Sequence, residues 1–177
     1  MNELNRQSDF KKSFPEISSL LSEADINRLL DICQRVDFSA GRKIIKDQQP
    51  VEHLYMVIKG NLHAVVDDGD KEKVVGVIGP GEIIGEVSLL SGAMTASSSV
   101  VTASDVTALK MSHQAFSIMF NDGGHLANTI LKHLVLRLEL RLQSARERLL
   151  KISQSGVQEK SNGSNKGLLS MLLGLRY

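Results

Sequence analysis

The sequence predicts an α+β fold that is mainly β, a jelly-roll barrel with helices confined to its two ends. Three observations carry this. Arg42 to Lys46, His53 to Lys59, Leu62 to Val66, Lys73 to Ile78, Val100 to Val101 and Val106 to Met111 are short β-branched runs spaced by turn residues. Apolar residues recur at helical spacing before and after those runs. Between the strands lies a glycine-rich stretch, Gly79 to Val101, around which the chain is organised.

At 177 residues, 42% apolar and 23% charged, the chain has the makings of one soluble domain with extensions and a real core. A net charge of +1 provides no general field to recruit nucleic acid, membrane or an acidic substrate. The single Cys33 excludes an intramolecular disulfide and suits the reducing cytoplasm of a bacterial-type protein. The N-terminus lacks the basic, apolar and small-residue progression of a signal peptide. No apolar run reaches the roughly 18–20 residues of a membrane span.

Residues 1–14 are polar and read as a mobile terminus, and the barrel with its flanking helices is expected over residues 15–125. Ser22 and Asp25 form a capping box for a helix whose Ile26, Leu29, Leu30 and Cys33 make one core-facing stripe. Nothing beside Cys33 would lower its pKa, so it reads as a small buried hydrophobe rather than a nucleophile. The strands follow, with Asp67-Asp68-Gly69-Asp70 as a hairpin turn in which Gly69 supplies the positive φ. Three carboxylates in that tight turn, lacking the longer loop and closing glutamate of a calcium hand, do not make a cation site. Ser112 caps a short helix, His113 to Phe120, closed by Asn121 to Gly124. His53, His63, His113, His125 and His133 are scattered without an H-x-H pair, so no metal is expected. Ser-His-Asp patterns, paired carboxylates, phosphate loops and dinucleotide fingerprints are missing too. The chain reads as a non-enzyme without a cofactor.

In the glycine-rich stretch, Gly79-Pro80-Gly81 and Gly85 bracket the apolar pair Ile83-Ile84. Gly85-Glu86 then opens Val87 to Leu90, long enough for one helical turn, and Ser97 to Val101 reads as a strand. A glycine turn entering a helix leaves free N–H groups pointing outward and lets an anion approach, although such turns also serve as plain corners of β-proteins.

The run Ile84-Gly85-Glu86-Val87-Ser88-Leu89-Leu90 resembles the first half of the phosphate-binding cassette of the cyclic nucleotide-binding domain family. That family is the sensor shared by the catabolite-activator transcription factors and the protein kinase A regulatory subunits. Upstream, Phe38 to Gly41, Lys43 to Ile45 and Leu54 to Gly60 are similar to its first strands and structural glycines. The resemblance covers about residues 20–150. It implies an eight-stranded jelly-roll barrel of cyclic nucleotide-binding type with N-terminal helices and a long C-terminal helix. It also implies a candidate nucleotide pocket of Gly85, Glu86, Val87, Ser88, Thr95, Ala96, Ser97 and Ser98. Glu86 stands where the family's carboxylate accepts from a ribose hydroxyl.

The second half of the cassette departs from the family. The arginine that pairs with the cyclic phosphate falls at Thr95 counted forward from Gly85-Glu86, and at Ala96 counted backward from Val100 to Asp105. Neither is basic, and no arginine occurs between Arg42 and Arg137. The missing pair is bidentate and charge-assisted, each bond contributing about 1.5–3 kcal/mol, so cyclic-nucleotide binding is expected to be weak or absent. Thr95, Ser97, Ser98 and Ser99 offer a phosphate only neutral hydrogen bonds, and such residues in strands ordinarily serve as β-formers.

Residues 126–152 read as one long helix in which Leu131, Val135, Leu138, Leu142, Ala145, Leu149 and Ile152 alternate in steps of four and three. That heptad seam, with family precedent, predicts a homodimer, while Leu134, Leu136 and Leu140 suit packing on the barrel. Arg137, Arg141, Arg146 and Arg148 partly oppose a parallel pair and otherwise read as a basic strip or a solvated face. Residues 153–166 are a Ser-, Asn- and Gly-containing linker. The apolar tail, residues 167–177 with Leu168, Leu169, Leu172, Leu173 and Leu175, is expected to dock. Its docking sites rank as its own barrel, a partner's groove and a membrane interface. The residues after the long helix are too few for the winged helix-turn-helix of the family's transcription factors, so no DNA contact is expected. Two functions stand: a dimeric regulatory adaptor acting through protein–protein contacts on a degenerate fold, and a cAMP- or cGMP-like sensor signalling through the long helix.

Overall fold

The computed structural model describes residues 3–67, 69, 71–87 and 95–154. The chain opens with three helices, α1 (Glu3–Ser13), α2 (Pro15–Leu20) and α3 (Glu23–Ile32). The Asp25 N–H donates to Ser22 Oγ at 3.1 Å and the Ser22 N–H donates to Asp25 at 3.3 Å, so the capping box fixes where α3 begins. Pro15 sits in the first turn of α2, where its missing N–H leaves nothing unpaired. The expectation of a mobile terminus over residues 1–14 is corrected for residues 3–14, residues 1 and 2 lying outside the described ones. Phe10 and Phe14 are buried and stack with ring centroids 5.3 Å apart. The polar composition of that stretch conceals two aromatic anchors one helical turn apart.

Eight strands follow: β1 (Gln34–Phe38), β2 (Lys43–Ile45), β3 (His53–Lys59), β4 (Leu62–Asp67), β5 (Glu72–Ile78), β6 (Ile83–Ile84), β7 (Ser99–Thr102) and β8 (Val106–Ser112). They pair antiparallel as two four-stranded sheets, in the orders β1-β8-β3-β6 and β2-β7-β4-β5. Among the described residues the pairing stays within each sheet, so the architecture is two sheets rather than the closed barrel expected. β1 escapes the period-two reading because its polar sequence QRVDF buries no residue completely. The strand expected from Ser97 begins at Ser99, since residues 95–98 carry the chain across from a bridge at Pro50.

Alternation along the strands builds two cores. Val57, Leu62, Ile78, Ile84, Val100 and Val106 fill the space between the sheets. Leu54, Met56, Ile83, Leu109 and Met111 point the other way, into a layer of helices. That layer is closed by α4 (His113–Asn121) and α5 (His125–Gln154). The Ala115 N–H donates to Ser112 Oγ at 3.0 Å, the cap expected for α4. Leu126, Ala127, Ile130 and Leu134 bury the first turns of α5, whereas Leu136 and Leu140 are exposed and do not pack on the sheets as expected. Cys33 is buried, and burial pushes its thiol up to about 12. The tail and most of the linker fall outside the described residues.

Truncation of Phe10 to alanine is expected to lower unfolding stability in urea by about 3–5 kcal/mol, the cost of emptying a buried aromatic site. A loss below about 1 kcal/mol would detach α1 from the cooperative core.

Candidate functional site

The site is built on the short segment from Gly79 to Val87. The Gly81 N–H donates to the Val57 carbonyl at 3.0 Å and the Val57 N–H to the Glu82 carbonyl at 2.9 Å, so β6 is held on the edge of β3. Glu82 turns back to accept from the Gly79 N–H at 2.7 Å and closes the turn. Three residues later the backbone must pass tightly over the start of β3. At Gly85, φ is +90°, and a Cβ would stand 2.5 Å from the His53 carbonyl oxygen and 3.3 Å from Val51 Cγ1. Only glycine meets both conditions, the left-handed angle and the close approach. The turn so formed aims Glu86 inward, leaving the residue 3% exposed.

A buried carboxylate demands a partner. It comes from α5: Arg141 donates through Nη1 to Glu86 Oε1 and through Nη2 to the Ile83 carbonyl, the latter at 3.0 Å. Arg141 Nη2 also lies 3.9 Å from Glu82 Oε1, and Arg137, one turn earlier, lies 3.5 Å from the same oxygen. Burial raises the Glu86 carboxyl above the usual range, and the Arg141 guanidinium pulls against that rise.

Glu86 lines a cavity of about 80 Å³. Its aliphatic wall is Ile45, Val51, Ile78 and Val100. Gly85, Glu86 and Val87 line it as well, with Ala96, Ser97 and Ser98, and Arg141 also borders the space. The structure thus gathers Gly85, Glu86, Val87, Ala96, Ser97 and Ser98 around one cavity. Thr95 is not in its lining; it is exposed and bridges to Pro50. Ser88 lies outside the described residues. The cavity is well below the roughly 300–1,000 Å³ of small-molecule sites. No group of three or more histidines, cysteines and carboxylates able to hold a metal occurs among the described residues.

Arg141 was invisible as a site residue because it reads as part of a basic strip. A signal existed, however. Ile130, Leu134, Arg137 and Arg141 follow one another in steps of four, three and four, so the stripe of α5 that faces the sheets changes from apolar to basic along one face. The heptad seam lies beside that stripe. Leu131 and Leu138 are half-buried, Val135 is 54% and Leu142 57% exposed, and the side chains of Ala145, Leu149 and Ile152 fall outside the description.

Two antiparallel sheets, a glycine turn presenting a buried glutamate, and a helix whose Arg141 borders the cavity define the class of fold. Residues 35–122 match the cyclic nucleotide-binding domain, and over that stretch the chain belongs to this family. The CRP-like cAMP-activated global transcriptional regulator of Mycobacterium tuberculosis is 29% identical over 108 residues, 59% of this chain and 47% of that protein. The chain therefore spans about half the length of the curated relatives it matches. A cyclic nucleotide-binding domain from Methylobacillus flagellatus superimposes with a TM-score of 0.73 at 19% identity, covering 90% of this chain and 88% of that one. The regulatory subunit of a cAMP-independent protein kinase A from Trypanosoma brucei has the same fold. A triple variant bound to cAMP in its A site aligns at TM-score 0.59 and 24% identity, over 74% of this chain and 47% of that one. One of its three substitutions replaces threonine by arginine.

Gly85→Ala is expected to lower the melting temperature markedly. The left-handed backbone alone costs about 1–3 kcal/mol before the contact with the His53 carbonyl is counted. An unchanged melting curve would mean that this turn does not fix the position of Glu86.

Proposed function

We propose that this chain is a non-enzymatic regulatory module in which a cyclic nucleotide-binding fold works through protein contacts, with cyclic-nucleotide affinity weak or absent. The observation that carries the reading is the Arg141–Glu86 pair. The carboxylate that the family offers to a ribose is taken by a cation of the chain's own helix. The cassette has Thr95, which lies outside the cavity lining, and Ala96 in place of its arginine, so that segment offers a cyclic phosphate no cation of its own. A ligand would have to displace Arg141 and do so without a charge partner of its own. The threonine-to-arginine change in the cAMP-bound variant of a cAMP-independent relative is consistent with the weight placed on that missing cation.

In this reading α5 is the output surface. Exposed Val135 and Leu142, flanked by Leu131 and Leu138, form the contact for a second copy, continued by Ala145, Leu149 and Ile152. Arg137 and Arg141 point to their own domain and leave the seam less repulsive than the sequence suggests. The apolar tail with Leu168, Leu169, Leu172, Leu173 and Leu175 supplies a further contact for a protein partner, and the lone Cys33 favours a cytoplasmic setting. Among the described residues no helix is long and apolar enough to cross a membrane. The second reading, a cyclic-nucleotide sensor, rests on the same pair: a ligand that took Glu86 would free Arg141 from the carboxylate and weaken one tie of α5.

Calorimetric titration with cAMP and cGMP separates the two. The native chain is expected to give no heat, and the double substitution Thr95→Arg with Arg141→Ala is expected to gain binding by at least about tenfold, or 1.4 kcal/mol. Micromolar binding by the native chain, about −8 kcal/mol, would establish the sensor instead. For the output surface, Leu142→Asp is expected to halve the mass measured by solution scattering while leaving the circular dichroism spectrum intact. A native mass that is already monomeric refutes the seam.

A further inference from the structure

A row of polar contacts fastens α4 and α5 to residues 81–86, and a buried histidine stands at each end of it. At one end, His133 of α5 lies against the Gly81 backbone and edge-on to Phe14, ring centroids 6.2 Å apart. Its Nδ1 is 3.9 Å from Glu16 Oε2 of α2, and its Nε2 is buried without a hydrogen-bond partner. Next come Arg137 on Glu82 and Arg141 on Ile83 and Glu86. At the other end, His113, the first residue of α4, lies against the Gly85 backbone, and neither ring nitrogen makes a hydrogen bond of ordinary geometry. Both histidines are 9% exposed. Glycine turns and imidazoles thus alternate with the ion pairs along the line where helices meet β6.

We propose that this row is an acid-released clasp: protonation of His133 and His113 detaches α5 from β6, takes Arg141 off Glu86 and opens the cavity. Burial of both rings supports it, since a cation there loses its water, and at His133 the Arg137 charge adds to that cost. A cation at His133 would sit one turn from Arg137 of its own helix, and its one facing carboxylate, Glu16, is mostly exposed and therefore screened. A cation at His113 would be favoured by the Gly85 backbone and by Glu52, with which it makes no ion pair, and burial outweighs both. His53 of β3 lies within its electrostatic reach and is itself acted on by Lys110 of β8. Either ring regains water only if its helix moves. The cluster between the two sheets, by contrast, is built of apolar side chains and the Tyr55 ring, so acid in this range has nothing there to act on.

Burial holds both imidazoles below the usual histidine range, with Arg137 adding to the effect at His133. A depressed histidine contributes stability that is present above its unfolded value of about 6.5 and is lost as pH falls through the folded value. The release is therefore placed on the acid side of about pH 6.5. It does not depend on whether a nucleotide binds.

Hydrogen exchange of the full chain, corrected for intrinsic rates, tests this at about pH 7.5 and about pH 5.5. Amides of α4, of α5 up to Arg141 and of residues 81–86 are expected to lose protection by at least about tenfold at the lower pH, while β3 and β8 keep theirs. The variant His133→Phe with His113→Gln is expected to hold protection at both pH values, and Glu86→Gln to respond to acid as the native chain does. Unchanged protection in the native chain overturns the proposal. So does an equal loss in the double variant, or loss of the response in Glu86→Gln, which would assign it to the carboxylate. Should the double variant not fold, nuclear magnetic resonance titration of the native histidines decides. Both rings titrating at or above the ordinary value of about 6.5 would overturn the clasp.

Discussion

Placing a carboxylate at the inner end of a glycine turn creates a debt that only a cation or a solvent channel can settle. Glu86 is nearly inaccessible, so the solution is Arg141, brought from 55 residues away by a helix long enough to reach it. Much of the architecture follows from that requirement. Leu126, Ala127, Ile130 and Leu134 seat the helix on the outer face of the first sheet before the arginines arrive. β6 must be held to β3 so that the glutamate has a fixed address, and Gly85 must remain a glycine because the His53 carbonyl leaves no room for anything larger.

The β-layer was legible because its signal is local. Runs such as His53–Lys59 and Val106–Ser112 carry alternate residues to two different cores, and such alternation can be read without knowing what lies opposite. Caps were legible for the same reason: Ser22 and Ser112 act within their own first turns. The N-terminal helix was not, since its burial rests on Phe10 and Phe14 finding the sheet, and composition averages those two rings with the lysines beside them. Whether the strands close into a barrel, as the pattern suggested, was equally beyond local reading, because pairing between sheets depends on distant partners, and among the described residues it stays within each sheet.

The site divides along the same line. The glycine turn, the glutamate and the small residues at Ala96, Ser97 and Ser98 belong to two short stretches, and the structure sets them around one cavity. Arg141 belongs to a third stretch, in which an arginine among arginines suggests solvent rather than burial. The heptad seam drew attention to one face of α5, while the residues that bind the helix to its own domain lie on the next. Leu136 and Leu140 illustrate the reverse error, being apolar positions whose helix face turns away from the sheets. Hydrophobicity alone does not say which of two apolar faces is the inner one.

The length of α5 gives the clasp a mechanical meaning. The helix runs from His125 to Gln154, so its last thirteen residues extend about 20 Å past Arg141. With its base packed on the sheet and Arg141 the last polar tie to the sheets among the described residues, this arm would behave as a lever pivoting near that side chain. A tilt of about 10° at that point displaces the far end by roughly 3 Å, enough to shift a knob out of its hole on a neighbouring helix. A small event beside Glu86 would thereby become a movement of several ångströms at the far end of the arm.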